Sequence, residues 1–331
     1  MAVVGIVVGL GLLTAGAELV VRGAGRLAAL AGISPLVVGL TVVAVGTSAP
    51  ELAVGIGSAR SGAGELALGN VAGSNVANIL LVLGLTAAIA PISVRTRVIR
   101  TDLPVMVGAS LVLVVMALGG HLSPMEGGAL LIGFVAYTAA VARASRDEDP
   151  EVVREFQAEF GPSSDAGPSV DGHPRRRRRP IAALTVVTAG GIAVILVGAE
   201  LLVSGATDAA TALGVSDALV GLTVVALGTS APELATAVVA ARRGEPDIAV
   251  GNVLGSCIFN VLLILGATVL AAPGGLDVST DVAHVDLPLA LAAAVLAVPV
   301  LLVGRRVSRP EGAAMVGLYV LYLAAMVVTR T

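Results

Sequence analysis

Long apolar runs separated by short polar connections dominate this chain, and the runs repeatedly reach the roughly 20 residues needed to cross a bilayer. Ten spans fit the pattern, at 2–29, 33–60, 66–91, 102–119, 124–143, 181–210, 215–242, 247–272, 284–303 and 311–329. The pattern predicts an all-α polytopic membrane protein. It is also written twice: Gly16–Thr86 returns 182 residues later as Gly198–Thr268, without a gap and with 40 of 71 positions identical. Five spans per copy is an odd number, so the second copy enters the membrane with the opposite orientation. The prediction is therefore two inverted-topology five-helix repeats, ten transmembrane helices in all, with a site at the repeat interface near the midplane, as in alternating-access transporters. The plainer alternative is a duplication kept for packing alone, which requires no carboxylates inside the spans.

Composition agrees with the pattern: 56% of the 331 residues are hydrophobic, 13% are charged and the mean hydropathy is +0.97, far outside the range of soluble domains. The net charge of −3 says little, but the placement of the basic residues says more. All 20 are arginines, and 18 fall in five alternate connections: Arg22 and Arg26; Arg95, Arg97 and Arg100; Arg143, Arg146, Arg154 and Arg175 to Arg179; Arg242 and Arg243; Arg305, Arg306 and Arg309. Only Arg60 and Arg330 lie on the other side. Positive loops stay inside, so a multi-pass protein of the cell inner (plasma) membrane is expected, with both termini outside and the 144–180 loop cytoplasmic. The organisation is then a first five-helix repeat (1–143), a disordered cytoplasmic linker (144–180) and a second five-helix repeat (181–331). The linker is charged, then Pro/Gly/Ser-rich, then basic, and cannot bury a core; a short helix is expected within it at Glu151 to Phe160. Its five consecutive arginines serve as an orientation signal or as a patch for anionic lipid. The first run lacks a basic leader and a cleavage site, so it reads as a retained span. The lone Cys257 excludes a disulfide framework and reads as a small buried residue.

Each copy carries GLTVVA-x-GTSAPELA and then GNV-x-GS-x-x-x-N. Pro50 and Pro232 lie inside spans, where each removes a helical hydrogen bond; the carbonyls of Ala44 and Ala226 are thereby expected to turn inward. Broken helices at membrane depth occur where they line a polar cavity. Thr47, Ser48 and Glu51 share one helical face, as do Thr229, Ser230 and Glu233. Intramembrane acids are expensive and mark function, whereas a mere proline kink would explain the hydroxyls but not the carboxylates. Ser74 with Asn78, and Ser256 with Asn260, add further polar faces at a spacing of four. The asparagines are ion ligands or interhelical hydrogen-bonding groups. Carboxylates, hydroxyls, amides and carbonyls form an all-oxygen set suited to Ca2+ or Na+ rather than to a soft transition metal. Glu18 and Glu200 also repeat; Glu18 is placed to pair with Arg22, and both read as structural or access-path residues.

With these two motifs present in both halves, the chain resembles the cation/Ca2+ exchanger superfamily, in its prokaryotic Na+/Ca2+ exchanger-like branch. The resemblance covers nearly everything except the linker. It implies a ten-helix fold with the second, third, seventh and eighth helices around the ions. Glu51 and Glu233 would ligate Ca2+ and alternately Na+, and Asn78 and Asn260 would complete the central site. Thr47, Ser48, Thr229, Ser230, Ser74 and Ser256 would serve flanking Na+ sites together with the Ala44 and Ala226 carbonyls. Many relatives carry aspartate at the position of Asn260, which leaves two acids here and points to independence from K+. Asn75 is matched by Cys257 in the second copy, expected to be a packing difference.

The expected activity is Na+/Ca2+ antiport by alternating access, with Ca2+ and Na+ as transported substrates, no cofactor, membrane lipid as surroundings, and neither nucleic acid nor an obligate protein partner. Three other readings remain: a Ca2+/H+ antiporter in which the glutamates load protons, a cation channel with a carboxylate ring, and a non-transporting scaffold. The proton-coupled branch usually carries an asparagine-bearing first motif, whereas GTSAPE offers hydroxyls. No nucleophile–base set or nucleotide motif suggests an enzyme.

Overall fold

The computed structural model describes residues 2–31, 34–144, 175–212 and 226–330. These are mostly helical: α1 (Ala2–Ala31), α2 (Leu36–Thr47), α3 (Ala49–Arg60), α4 (Gly64–Ile89), α5 (Val98–Ala117), α6 (Pro124–Ala144), α7 (Arg175–Ala212), α8 (Ala226–Thr229), α9 (Ala231–Arg242), α10 (Pro246–Ala271), α11 (Val282–Leu302) and α12 (Arg309–Arg330). Among the described residues, eight helices are long and apolar enough to cross a membrane, and the α2–α3 pair makes a ninth, broken span. The first part of the expected span at 215–242 and the expected helix at Glu151 to Phe160 lie outside the described residues. Helix α7 starts at Arg175, inside the expected linker; arginine is a good helix former and the sixth span extends back through that run.

The breaks follow from proline. Between α2 and α3 the axis bends by 45° at Ser48, whose backbone leaves the helical region (φ −84, ψ 12). Pro50 then sits in the first turn of α3, where its missing N–H leaves nothing unpaired. In the second copy α8 ends and α9 begins across Ser230 (φ −87, ψ 0), with Pro232 in the first turn of α9. Helices α4 and α10 form the centre, most of their length buried. Each widens into a π-helical segment, Ala77–Leu83 and Asn260–Leu265, a feature that often marks functional sites.

Helices α1 and α7 lie together at the periphery, and glycines let them touch. Gly9, Gly16 and Gly23 recur every seven residues on α1, and Gly191, Gly198 and Gly205 do so on α7. A Cβ on Gly9 would lie 2.7 Å from the Leu202 nitrogen, and one on Gly198 2.7 Å from the Leu13 nitrogen. Without a hydrophobic force between helices in lipid, such close backbone approach supplies the association.

Two short antiparallel strand pairs tie the copies together: β1 (Ile92–Ser93) with β4 (Arg306–Val307), and β2 (His121–Leu122) with β3 (Leu276–Asp277). Gly275 (φ +104) permits the second pair, since a Cβ there would sit 2.2 Å from the Leu122 carbonyl. Helices α6 and α12 both start with a serine–glutamate capping box: Glu126 Oε2 accepts from the Ser123 N–H at 2.7 Å, and Glu311 Oε2 from the Ser308 N–H at 2.8 Å.

Candidate functional site

Each helix break places one carboxylate in the first turn of the following helix, Glu51 in α3 and Glu233 in α9. A helix N-terminus carries a partial positive charge and favours an anion. Both side chains are fully buried, and Ser48, three residues before Glu51, reaches Glu233 Oε1 at 3.0 Å. Thus two acids 182 residues apart in sequence converge among apolar helices.

Around Glu233 the hydroxyls close in. Ser48 Oγ lies 3.0 Å from Glu233 Oε1 and 3.0 Å from Ser256 Oγ. Ser256 Oγ in turn lies 3.3 Å from the same Oε1. Thr47 Oγ1 is within 3.1 Å of the Val43 carbonyl, 3.4 Å of the Ala44 carbonyl and 3.1 Å of Asn252 Oδ1, so one proton has three acceptors to choose from. Asn252 Nδ2 donates to the Glu233 carbonyl at 3.4 Å. The Ala44 carbonyl also accepts the Ser48 N–H at 3.0 Å, an ordinary helical bond despite the nearby proline.

Around Glu51 the counterpart bonds are missing. Both of its carboxylate oxygens are buried without a hydrogen-bond partner, and so is Ser230 Oγ, the counterpart of Ser48. Glu233 Oε2, Asn78 Oδ1 and Asn260 Oδ1 are likewise buried and unpartnered. Ser74 is buried on α4 one turn before Asn78. Thr229, the counterpart of Thr47, lines a cavity of about 820 Å³ with Glu65, Asn70, Asp286 and Tyr322. Ala226 begins α8.

Two residues beyond those singled out from the sequence take part, Asn252 and Asn70, and Asn75 takes a larger part than expected. Asn252 bridges Thr47 to the Glu233 backbone, and its counterpart Asn70 lines the cavity beside Thr229. The signal for both was a spacing of four that runs Asn70, Ser74, Asn78 and Asn252, Ser256, Asn260. Asn75 crosses between the copies: its Nδ2 donates to the Cys257 carbonyl at 3.3 Å and its Oδ1 accepts from Asn260 Nδ2 at 3.0 Å. The Asn75/Cys257 mismatch is therefore more than a difference in packing. Glu18 pairs with Arg22 at 2.7 Å as expected, and also with Arg243 at the end of the seventh-span segment. Glu200 is exposed on α7.

Buried acceptor oxygens normally meet donors. Here buried oxygens contributed by both copies lack donors, and Asn78 Nδ2 and Ser230 Oγ are buried and unpartnered as well; a carboxylate- and amide-oxygen set of this kind suits a hard cation with oxygen ligands. The comparisons with known proteins agree with that chemistry. The family described as sodium/calcium exchanger protein matches residues 1–143 and 183–328. The chain is 32% identical over 341 residues to the sodium/calcium exchanger MaX1 of Methanosarcina acetivorans, covering 97% of each. It is 37% identical over 278 residues to the inner membrane protein YrbG of Escherichia coli, covering 82% of this chain and 80% of that one. Its fold superimposes on a structure of the sodium-calcium exchanger NCX_Mj, soaked with Na+ and Ca2+, with a TM-score of 0.79 at 29% identity, over 98% of this chain and 97% of that one. A multi-pass helical architecture, a carboxylate contributed by each repeated motif and a family match over both 1–143 and 183–328 lead to one statement: the chain belongs to the sodium/calcium exchanger family, and is a transporter rather than an enzyme.

Proposed function

We propose that this protein exchanges Na+ for Ca2+ across the membrane by alternating access, with one shared site built from both repeats. The observation that carries the reading is the set of buried acceptors without donors: both oxygens of Glu51, Glu233 Oε2, Asn78 Oδ1 and Asn260 Oδ1. Glu51 and Glu233 are the anionic ligands and the two asparagines supply neutral oxygens. Thr47, Ser48, Ser74 and the Ala44 carbonyl, with Thr229, Ser230, Ser256 and the Ala226 carbonyl, are the flanking oxygen ligands for Na+.

The physical logic is charge balance. Two carboxylates deep among apolar helices are costly unless compensated. One Ca2+ or adjacent Na+ ions neutralise them and allow the helices to rearrange, while the empty site, at −2, resists crossing. Coupling follows from that difference. More than two Na+ per Ca2+ makes the exchange electrogenic.

Ten helices in two inverted repeats, 1–143 and 181–331 joined by a cytoplasmic 144–180 linker, are part of the same proposal. The strand pairs support the inversion. Strands β1 and β2 flank α5, a 20-residue span, and so lie at opposite membrane faces. Strand β3, which follows α10 as β1 follows α4, pairs with β2 and not with β1. Equivalent helices of the two copies therefore run toward opposite faces. With the arginine-rich connections inside and both termini outside, the cavity beside Thr229, rimmed by Glu65, opens outward. The surrounding membrane is the inner (plasma) membrane.

The test is 45Ca2+ uptake by reconstituted vesicles with Na+, K+ and pH gradients imposed one at a time. Uptake driven by an outward Na+ gradient, indifferent to K+ and to pH, is expected. Uptake driven by a proton gradient without Na+ would make the protein a Ca2+/H+ antiporter, and flux independent of any counter-ion would make it a channel.

A further inference from the structure

The two copies of the second motif differ at one polar position, Asn75 against Cys257, and the difference sits beside Asn260. A primary amide presents an oxygen at one end and an NH2 group at the other, and only the oxygen can ligate a cation. Which end of Asn260 faces the ion site is therefore decisive, and the hydrogen-bond network determines it. The backbone carbonyl of Cys257 can only accept, so the Asn75 amide turns its Nδ2 toward it, at 3.3 Å. Asn75 Oδ1 then points the other way and must meet a donor. It meets Asn260 Nδ2 at 3.0 Å, which leaves Asn260 Oδ1 facing away, buried and without a hydrogen-bond partner. All three groups are buried, with Asn75 4%, Asn260 0% and Cys257 1% exposed, so no solvent competes for them.

Resting on the exchange site proposed above, we propose that Asn75 is a positioning residue: through the Cys257 carbonyl it orients the Asn260 amide so that the oxygen faces the cation. Its own copy has no such device. There the counterpart of Asn75 is Cys257, whose thiol is a weak donor and a weak acceptor and orients an amide poorly, and both ends of the Asn78 amide are buried without a hydrogen-bond partner. A carboxylate at position 260 would need no orienting, because its two ends are alike. The amide and its clamp thus form one unit, and a chain with asparagine at 260 needs the clamp.

The experiment is a double-mutant cycle on the purified full-length chain. Equilibrium 45Ca2+ binding is read directly, and the Ca2+ KM and maximal rate of exchange are read in vesicles. Asn75→Leu, of similar volume but unable to hydrogen-bond, is expected to weaken Ca2+ binding by about tenfold, the effect of losing one neutral ligand. The KM should rise in parallel while the maximal rate at saturating Ca2+ stays within about twofold. In the Asn260→Asp background the same change is expected to weaken Ca2+ binding by less than about threefold. Equal weakening in both backgrounds would show a merely structural role and overturn the proposal, as would unchanged affinity in the Asn260 background. Should Asn75→Leu fail to fold, Asn75→Cys, which installs the second copy's own residue, carries the same expectations. A wild type that binds Ca2+ but does not exchange it for Na+ would defeat the exchange reading while the binding cycle still decides the role of Asn75.

Discussion

Glu51 and Glu233 occupy the same place in two copies of GTSAPEL, yet their surroundings differ. Glu233 accepts from Ser48 and Ser256, whereas Glu51 has both oxygens bare and the matching hydroxyl of Ser230 pairs with nothing. Beside them, Thr47 is closed onto Asn252, while the counterparts Thr229 and Asn70 line a cavity. These residues are identical in the two copies, so their inequality is one of conformation, separate from the chemical difference between Asn75 and Cys257. A chain whose halves can trade these environments has two states of similar internal chemistry, facing opposite sides of the membrane. That is the physical content of alternating access in a duplicated sequence.

The comparison is broken most severely by removing a charge. Glu51→Gln and Glu233→Gln should each reduce Na+-driven 45Ca2+ uptake by at least ~100-fold, since a single remaining carboxylate neither balances Ca2+ nor couples it to Na+. Equal loss in both variants is expected despite the unequal hydrogen bonding, because the proposed exchange uses both acids in every cycle. Retained uptake in either would move the site elsewhere.

The serines sharpen the comparison. Ser48→Ala removes a hydrogen bond to a buried carboxylate, which costs about 1.5–3 kcal/mol, whereas Ser230→Ala removes a hydroxyl that bonds nothing in this state. Thermal unfolding of the purified ion-free protein should show a clear loss for Ser48→Ala and little change for Ser230→Ala. Equal losses would mean that the asymmetry does not persist in solution.

A weaker expectation concerns Glu18, which binds Arg22 and Arg243 at the arginine-rich face, while the positions equivalent to those arginines are Ser204 and Ser61. This ion-pair cluster holds α1 to the end of α9 on one side only. Partly exposed pairs are worth roughly 0.2–1 kcal/mol, so Arg243→Ser should lower the Ca2+ KM at the arginine-rich face by only about two- to threefold. Oriented vesicles assayed from each side provide the check.

The smallest effect is expected at the β2–β3 pair. His121 Nδ1 lies 2.8 Å from Asp277 Oδ1 and its Nε2 lies 3.1 Å from the Gly274 carbonyl. Two acceptors on one ring favour the imidazolium, and the Asp277 hydrogen bond, chiefly, raises the His121 pKa above 6.5. The contribution is then fully present below about pH 6.5, the unfolded value, and is lost as pH rises through the higher folded value. The melting-temperature gap between wild type and His121→Ala should shrink between mildly acidic and alkaline pH; a gap that widens would reverse the assignment.

Much of this was legible in the residues. The spans follow from hydropathy, and the breaks at Ser48 and Ser230 from Pro50 and Pro232. The placement of Glu51 and Glu233 at the start of half-helices follows from those prolines. The glycine seam between α1 and α7 was written in the sequence as a seven-residue period, but only the facing helix gives that period a meaning. Asn252 belonged to a series of polar residues spaced by four, and only the structure shows what it bridges. The strand pairs are two residues long, too short for any alternation to announce them. The inequality of Glu51 and Glu233 was not legible at all: both copies read GTSAPEL, and no local pattern encodes which one is closed at a given moment.

The central claim, one cation site shared by both repeats, is tested most directly by equilibrium 45Ca2+ binding to the purified protein with Na+ and K+ as competitors. One Ca2+ per chain is expected, displaced by Na+ but not by K+, and lost in both Glu51→Gln and Glu233→Gln. Undiminished binding in either variant, or Ca2+ that Na+ does not displace, would contradict it.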